Sequence, residues 1–344
     1  MKNPNFSLTG TPPKLFPTLL KGFNTIANHW YLILFPIFLD VFLWLGPKIR
    51  LKTLLSPVVS LMSANMTKIT PPEMIETVKA SQSIWDQLLN QFNLVTTLRT
   101  FPVGVPSLIA RQSPILSPLG EKWVFEMTST RWVFTAIGLL LLIGFLLGSL
   151  YFLLISRVTA TENEKLTAKQ VFSSYAQSLV MFCLLLTVLL LISVPLLMLL
   201  SVLSLINFGI GQFFILVAVF LLLWLMLPLV FAPHGVFVLK QKALPSMLIS
   251  IRLVRLFLPG TGMFVIISLL INEGLNMLWS LPEPTSWLTL VGIGGHSFII
   301  TGILAASFVY YREGLHWMQE NLQRMAESAR KQQEENGGTS LEQQ

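Results

Sequence analysis

Four polar residues stand in stretches otherwise written in leucine, isoleucine and phenylalanine: Asp40, Asn272, Glu273 and His296. Two carboxyls and an imidazole are a set that can relay protons or hold a polar solute, and ionisable groups inside a bilayer are expensive unless paired. Counted at the helical rise from the inner ends of their apolar spans, Asp40 lies about 21 Å deep, Glu273 about 18 Å and His296 about 21 Å. The three thus share a level in the outer half of a membrane. The sequence predicts one polar cluster inside a helix bundle, with Asn272 beside it. A structural use of the same groups competes: a protonated Glu273 hydrogen-bonds across helices, and Asp40 rides near the outer water.

No other chemistry is spelled out. The chain lacks H-E-x-x-H, G-x-x-x-x-G-K-[S/T] and G-x-S-x-G, so zincin, P-loop and hydrolase-elbow sites are not expected. Cys183 is the only cysteine and the four histidines are scattered. Neither a metal cluster nor a haem attachment can be built from them. No catalytic residue and no cofactor is expected. His234, after Pro233, reads as a structural histidine, and His29 and His316 carry no ligand spacing.

The elements that must position the polar residues follow from lipid. From Gln170 to Leu239 there are seventy residues without an Asp, Glu, Lys or Arg. One helix of that length measures roughly 105 Å against a hydrocarbon core of about 30 Å, so the stretch crosses a bilayer twice. Of 344 residues, 53% are hydrophobic and 11% charged, and the mean hydropathy is +0.69. The sequence predicts an all-α polytopic membrane protein with six transmembrane helices at 26–46, 132–155, 178–206, 211–232, 261–281 and 287–310. Turns are expected at Asn207-Phe208-Gly209 and Pro282-Glu283-Pro284. No cleavable signal is expected at the N-terminus.

The net charge of +7 is read by its placement. With the N-terminus inside, the inner segments hold three, three, four and four Lys and Arg, fourteen in all, and the two short outer loops hold none. That positive-inside bias puts both termini in the cytoplasm of a cell-membrane protein. The interfacial basic residues Lys240, Lys242, Arg252 and Arg255 belong to this set. The charge serves anchoring, so nucleic acid is not an expected partner; the bilayer is, with other membrane subunits beside it. No Lys or Arg is left for the hydrocarbon.

Finer organisation is also legible. Apolar residues at helical spacing precede spans one (Leu15, Leu19, Leu20, Phe23), three (Leu166, Val171, Phe172, Tyr175) and five (Leu244, Leu248, Ile251, Leu253). They read as interfacial helices at 1–25, 156–177 and 233–260, so the chain resolves into three hairpins each led by such a helix. The outer segment 47–131 is expected to start a helix at Thr70-Pro71-Pro72-Glu73 that runs to about Leu98. It then becomes irregular through Pro102, Pro106, Pro114 and Pro118, and packs on the outer ends of the spans or on a partner. Gly144-x-x-x-Gly148, and Gly294 and Gly295 beside His296, read as close-packing positions. After span six, the tail 311–344 is expected to be helical to about Lys331 and disordered from Gln332.

Residues 165–310 carry Pro228-Leu229-Val230-Phe231-Ala232-Pro233, then Lys242-Ala243-Leu244-Pro245-Ser246 and a basic run to Arg255. In this pattern the stretch resembles uncharacterised bacterial six-span membrane proteins, related in pattern to the membrane domain of glycerophosphoryl diester phosphodiesterases. In that family the catalytic residues lie in a separate soluble domain, so the resemblance implies an enzyme-free membrane domain and carries over no site residue. The expected function is a structural or accessory subunit of a membrane assembly. The alternatives are a permease-like bundle centred on the polar level and, third, a membrane enzyme.

Overall fold

A computed structural model describes residues 12–69, 75–160, 167–206 and 208–341. The helix start at Thr70–Glu73, the turn residue Asn207 and the basic residues Lys2 and Lys165 lie outside this set. Helices are α1 (Leu15–Asn28), α2 (Leu34–Leu45), α3 (Lys52–Ile69), α4 (Ile75–Gln91), α5 (Ile109–Gln112), α6 (Thr130–Val158), α7 (Ala168–Ile206), α8 (Phe208–Met226), α9 (Ala232–Val238), α10 (Ala243–Leu256), α11 (Leu258–Trp279) and α12 (Thr289–Leu341). Short strands β1 (Lys48–Arg50) and β4 (Val124–Glu126) pair in parallel; β2 (Leu116–Ser117) and β3 (Gly120–Glu121) form a hairpin. Five helices are long and apolar enough to cross a membrane, and α1 with α2 makes a sixth span if the bent pair is counted as one. The chain is an all-α polytopic membrane protein.

The first span departs from the expected straight helix over 26–46. The chain turns through 92° between α1 and α2. The twelve residues of α2 reach only about 18 Å, short of a 30 Å core. Helix α1 ends at Asn28, with the His29 ring 2.9 Å from the Thr25 carbonyl, and a 3₁₀ turn over Trp30–Ile33 leads into α2. The amphipathic α1 lays Thr18, Leu19, Gly22 and Ile26 on α12. Gly22 has no side chain to keep the backbone of Ala306 away. Glu313 of α12 is 2.6 Å from Lys21 and accepts from Thr18 at 3.1 Å. Packing along α12 holds α1 out of line with α2.

Of the other two expected interfacial helices, one departs from the expectation. Residues 168–177 are not a separate helix but the first turns of the 39-residue α7, since nothing between Ala168 and Ile206 breaks the backbone ladder before Pro195. Before α11, by contrast, a true break at Phe257 separates α10. Its buried serines answer the prolines of the preceding span. Pro228 and Pro233 break the helix after Met226, and the freed groups are met by Ser250 Oγ, which donates to Pro228 O at 2.7 Å and accepts from Phe231 N–H at 3.2 Å. Ser246 donates likewise to Ala232 O.

In the outer segment, α3 was not foreseen, because its Pro57 breaks the pattern that signals a helix. The helix expected to reach Leu98 ends at Gln91: Asn93 stops it, its side chain accepting from Val95 N–H at 3.1 Å to open a 3₁₀ turn over Leu94–Leu98. At the other end of the chain, α12 does not stop at Lys331 but runs to Leu341; Gln332, Gln333, Glu334 and Glu335 are good helix formers that continue it, whereas nothing in the propensities of Asn336 to Ser340 accounts for its last turns.

Candidate functional site

Asp40 and Glu273 are each held by the segment between the first two spans, through its 107–111 stretch. Asp40 is fully buried. Its carboxylate accepts from Ser107 Oγ and from the backbone N–H groups of Leu108 and Ile109, each at 3.0 Å. Asp40 therefore caps α5 from a different helix, placing negative charge where the orphan N–H groups converge. Two residues on, Arg111 holds both oxygens of Glu273, with Nη2 2.8 Å from Oε1. Asn272 donates to the same Oε1 at 3.0 Å. His296 Nδ1 lies 2.7 Å from Asn276 Oδ1.

Among the described residues no hydrogen bond joins Asp40, Glu273 and His296 to one another; each is held by other partners. Glu273 and Arg111 leave 47% and 45% of their side chains exposed, so this pair sits on the flank. Depth follows from counting residues, but azimuth does not. One position is about 100° around a helix, so Asn272 faces the interior at 8% exposure while Glu273 faces out. The expectation that no Lys or Arg reaches this level is corrected as well. The extended stretch 99–111 carries Arg99 and Arg111 to it, and Arg99 lies close enough to feel Asp40, Glu273 and Arg111 electrostatically.

The glycines explain how that stretch gets in. A Cβ on Gly144 would fall 2.5 Å from the Leu98 carbonyl, and one on Gly148 would fall 2.6 Å from Gly104 Cα. The small face of α6 therefore receives the backbone of 98–104, not another membrane helix. Non-helical backbone at membrane depth is tolerated where protein covers it; Thr100 donates to Val103 O at 2.6 Å to satisfy part of it. Gly295 accommodates the Trp279 ring, and Gly292 its carbonyl, whereas Gly294 meets nothing within 4 Å. A stripe of buried Ser268, Asn272 and Asn276 on α11 was missed in the sequence, although its four-residue spacing is legible there.

Beside this stripe is a cavity of about 350 Å³ bounded by α6, α11, α12, the 99–106 stretch and the start of α9. His234 is buried on its wall, 2.7 Å from Ser307 Oγ and 4.4 Å from the Phe308 ring centroid. At the membrane face expected to be the inner one, a second cavity of about 680 Å³ is lined by Arg157, Lys169, Lys240 and Arg312 beside apolar residues such as Val236 and Phe237. Arg312 donates to Ser156 O at 2.7 Å and so ties α12 to α6. Of the other basic residues expected at this interface, Lys242, Arg252 and Arg255 are exposed along α10.

Outside the membrane, two buried lysines end the helices they touch. Lys48 donates to Asn90 O at 2.9 Å and Lys122 to Leu43 O at 2.9 Å, each neutralising carbonyls at a helix C-terminus. Burial pulls Lys48 down to about 8, with Arg50 adding to the effect; Lys122 falls to about 8 through burial and the nearby Lys48. Among the described residues no group of His, Cys, Asp and Glu is arranged to hold a metal ion.

Compared with known proteins, the chain matches no family model, no curated protein and no solved structure.

Proposed function

We propose that this chain is a non-catalytic accessory subunit that holds another membrane protein against the α7–α8 hairpin. The observation that carries the reading is how little of that hairpin its own chain covers. Only 11% of the apolar window of α7 and 6% of that of α8 is buried, against 28% to 56% in the other three long helices. Neither helix bears a charge between Gln170 and Met226, and Pro195 within α7 leaves a carbonyl without its helical donor. A pair of helices that gains so little from its own fold offers a surface to a second helical protein. The use of Asp40 and Glu273 in fixing internal contacts favours the same reading, because neither of these two acids is left free for a coupled carrier. The pattern likeness of 165–310 to enzyme-free membrane domains agrees with it. In this reading both termini are cytoplasmic, in the cell membrane, and nucleic acid is not a partner.

The test is site-specific photocrosslinking in native membranes from Leu197, Leu216 and Phe220, with Leu270 on α11 as the reference position. One polypeptide of fixed mass joined from all three hairpin positions and not from Leu270 is the expected result. Lipid adducts alone, with the chain recovered by itself after gentle detergent extraction, overturn the proposal. A permease-like bundle is the second reading, favoured by the cavity at Asn272; it requires labelling of a Glu273→Cys chain by an impermeant thiol reagent.

A further inference from the structure

The cavity beside α11 has the form of a site for one amphiphilic molecule. Its walls are apolar over most of their length, as at Phe264 and Ile300. It spans Phe264 to Asn272 along α11 and Ile300 to Ser307 along α12, each about 10–12 Å at the helical rise. About 350 Å³ over that length is a slot about 6 Å across, the width of one hydrocarbon chain and not two. Leu269, on its wall, is 54% exposed, so the slot opens sideways toward lipid.

One end is polar in a particular way. Arg99 lines it, and its guanidinium, alone among the cations at this level, has no hydrogen-bond or ion-pair partner among the described residues. Arg111 beside it is saturated by Glu273, and Asp40 is sealed by Ser107, Leu108 and Ile109. Arg99 itself is exposed, and two buried atoms on the wall of the same cavity lack partners, Asn272 Oδ1 and Ser268 Oγ. Buried polar atoms left unpaired each cost about 1–3 kcal/mol. Five guanidinium donors match a phosphate or carboxylate, an amide oxygen accepts from a hydroxyl, and a serine serves either role.

We propose that this slot binds a single-chain anionic lipid with a free hydroxyl next to its phosphate, the lysophospholipid class. The acyl chain lies along α11 and α12 toward His234, the phosphate meets Arg99, and the hydroxyl donates to Asn272 Oδ1. The proposal is independent of what docks on α7–α8.

The test uses the full chain purified in a non-ionic detergent and native mass spectrometry with three probes. They are palmitoyl-lysophosphatidylglycerol, the uncharged monopalmitoylglycerol, and dipalmitoyl-phosphatidylglycerol, which has the same headgroup on two chains. The lyso lipid is expected to bind one per chain, at least tenfold tighter than either other probe. Arg99→Gln weakens it at least tenfold and Arg99→Lys recovers part of the loss. Ile300→Trp, which fills the slot, abolishes binding, and Arg157→Gln at the inner face changes nothing. The exposed Arg99 side chain makes no hydrogen bond or ion pair among the described residues, so its variants are expected to keep the fold; the midpoint of thermal unfolding checks this. Equal binding of the two-chain lipid identifies an annular lipid held by its headgroup and overturns the proposal. Binding of the lyso lipid that survives both Arg99→Gln and Ile300→Trp overturns it too.

Discussion

Replacing Asp40 with alanine removes the acceptor for three donors at once. In the folded chain two backbone N–H groups and the Ser107 hydroxyl converge on a carboxylate with no solvent access. Each buried donor left unpaired costs about 1–3 kcal/mol, so the change costs roughly 3–9 kcal/mol if nothing relaxes. Relaxation is possible here because 99–111 is a loop and not a helix, and water entering behind Asp40 recovers part of the loss. A net cost near 3 kcal/mol in the opening of this stretch is the expected outcome. At about 1.4 kcal/mol per factor of ten, that is roughly a hundredfold rise in its open population. Hydrogen–deuterium exchange of the amides of Leu108 and Ile109, in detergent micelles, reads it directly, with the amides of α6 as an internal reference. Asp40→Asn keeps one acceptor oxygen but turns an amino group toward the N–H donors, so it falls between the parent and Asp40→Ala. Should Asp40→Ala leave protection of residues 108–109 within threefold of the parent, the acid does not hold the loop, and its burial needs another explanation.

Three further outcomes follow from the same geometry. Gly148→Ala pushes a methyl against the backbone of Gly104 and Val103 and is expected to cost about 1–3 kcal/mol, whereas Gly138→Ala, with nothing within 4 Å, is neutral or slightly stabilising; denaturant midpoints in one detergent compare the two. Lys48 and Lys122 titrate near pH 8 when folded and near 10.5 when not. Between those values the unfolded chain holds more protons, so stability rises with pH from about 8 toward 10; in a Lys48→Met, Lys122→Met chain that slope in the thermal midpoint flattens. Arg111→Glu and Glu273→Arg each lose the flank pair, which at this exposure contributes no more than about 1 kcal/mol, while the two together restore it; a double-mutant cycle on unfolding midpoints measures the coupling.

The spans were legible because hydropathy is a one-dimensional signal: the charge-free run from Gln170 to Leu239 needs no partner to be read. A shared depth for Asp40, Glu273 and His296 is expected from the sequence for a similar reason, since rise per residue is fixed. What they touch is not legible there. The partners of Asp40 are Ser107, Leu108 and Ile109, nearly seventy positions away, in a stretch whose four prolines signalled only irregular chain. Arg99 and Arg111 were assigned to outer water because charge normally marks it. A loop that carries its own hydrogen bonds into the bundle reverses that inference, and no local pattern announces it.

Gly144 and Gly148 tie these misses to a single cause. A small face on a membrane helix signals close approach by a backbone, and in most bundles that backbone is another helix. Here the first span is bent at Trp30–Ile33, and α2, with about 18 Å of helix, does not cover α6 through the depth of the membrane. The space left on α6 is taken by residues 98–104, which can approach only because positions 144 and 148 lack side chains. The same intrusion brings Ser107 to Asp40, carries Arg111 to Glu273 and forms one wall of the cavity under Arg99. Bent span, glycine face and re-entrant loop are therefore one device, and a side chain introduced at Gly148 should disturb the Asp40 cap, the flank pair and the slot together.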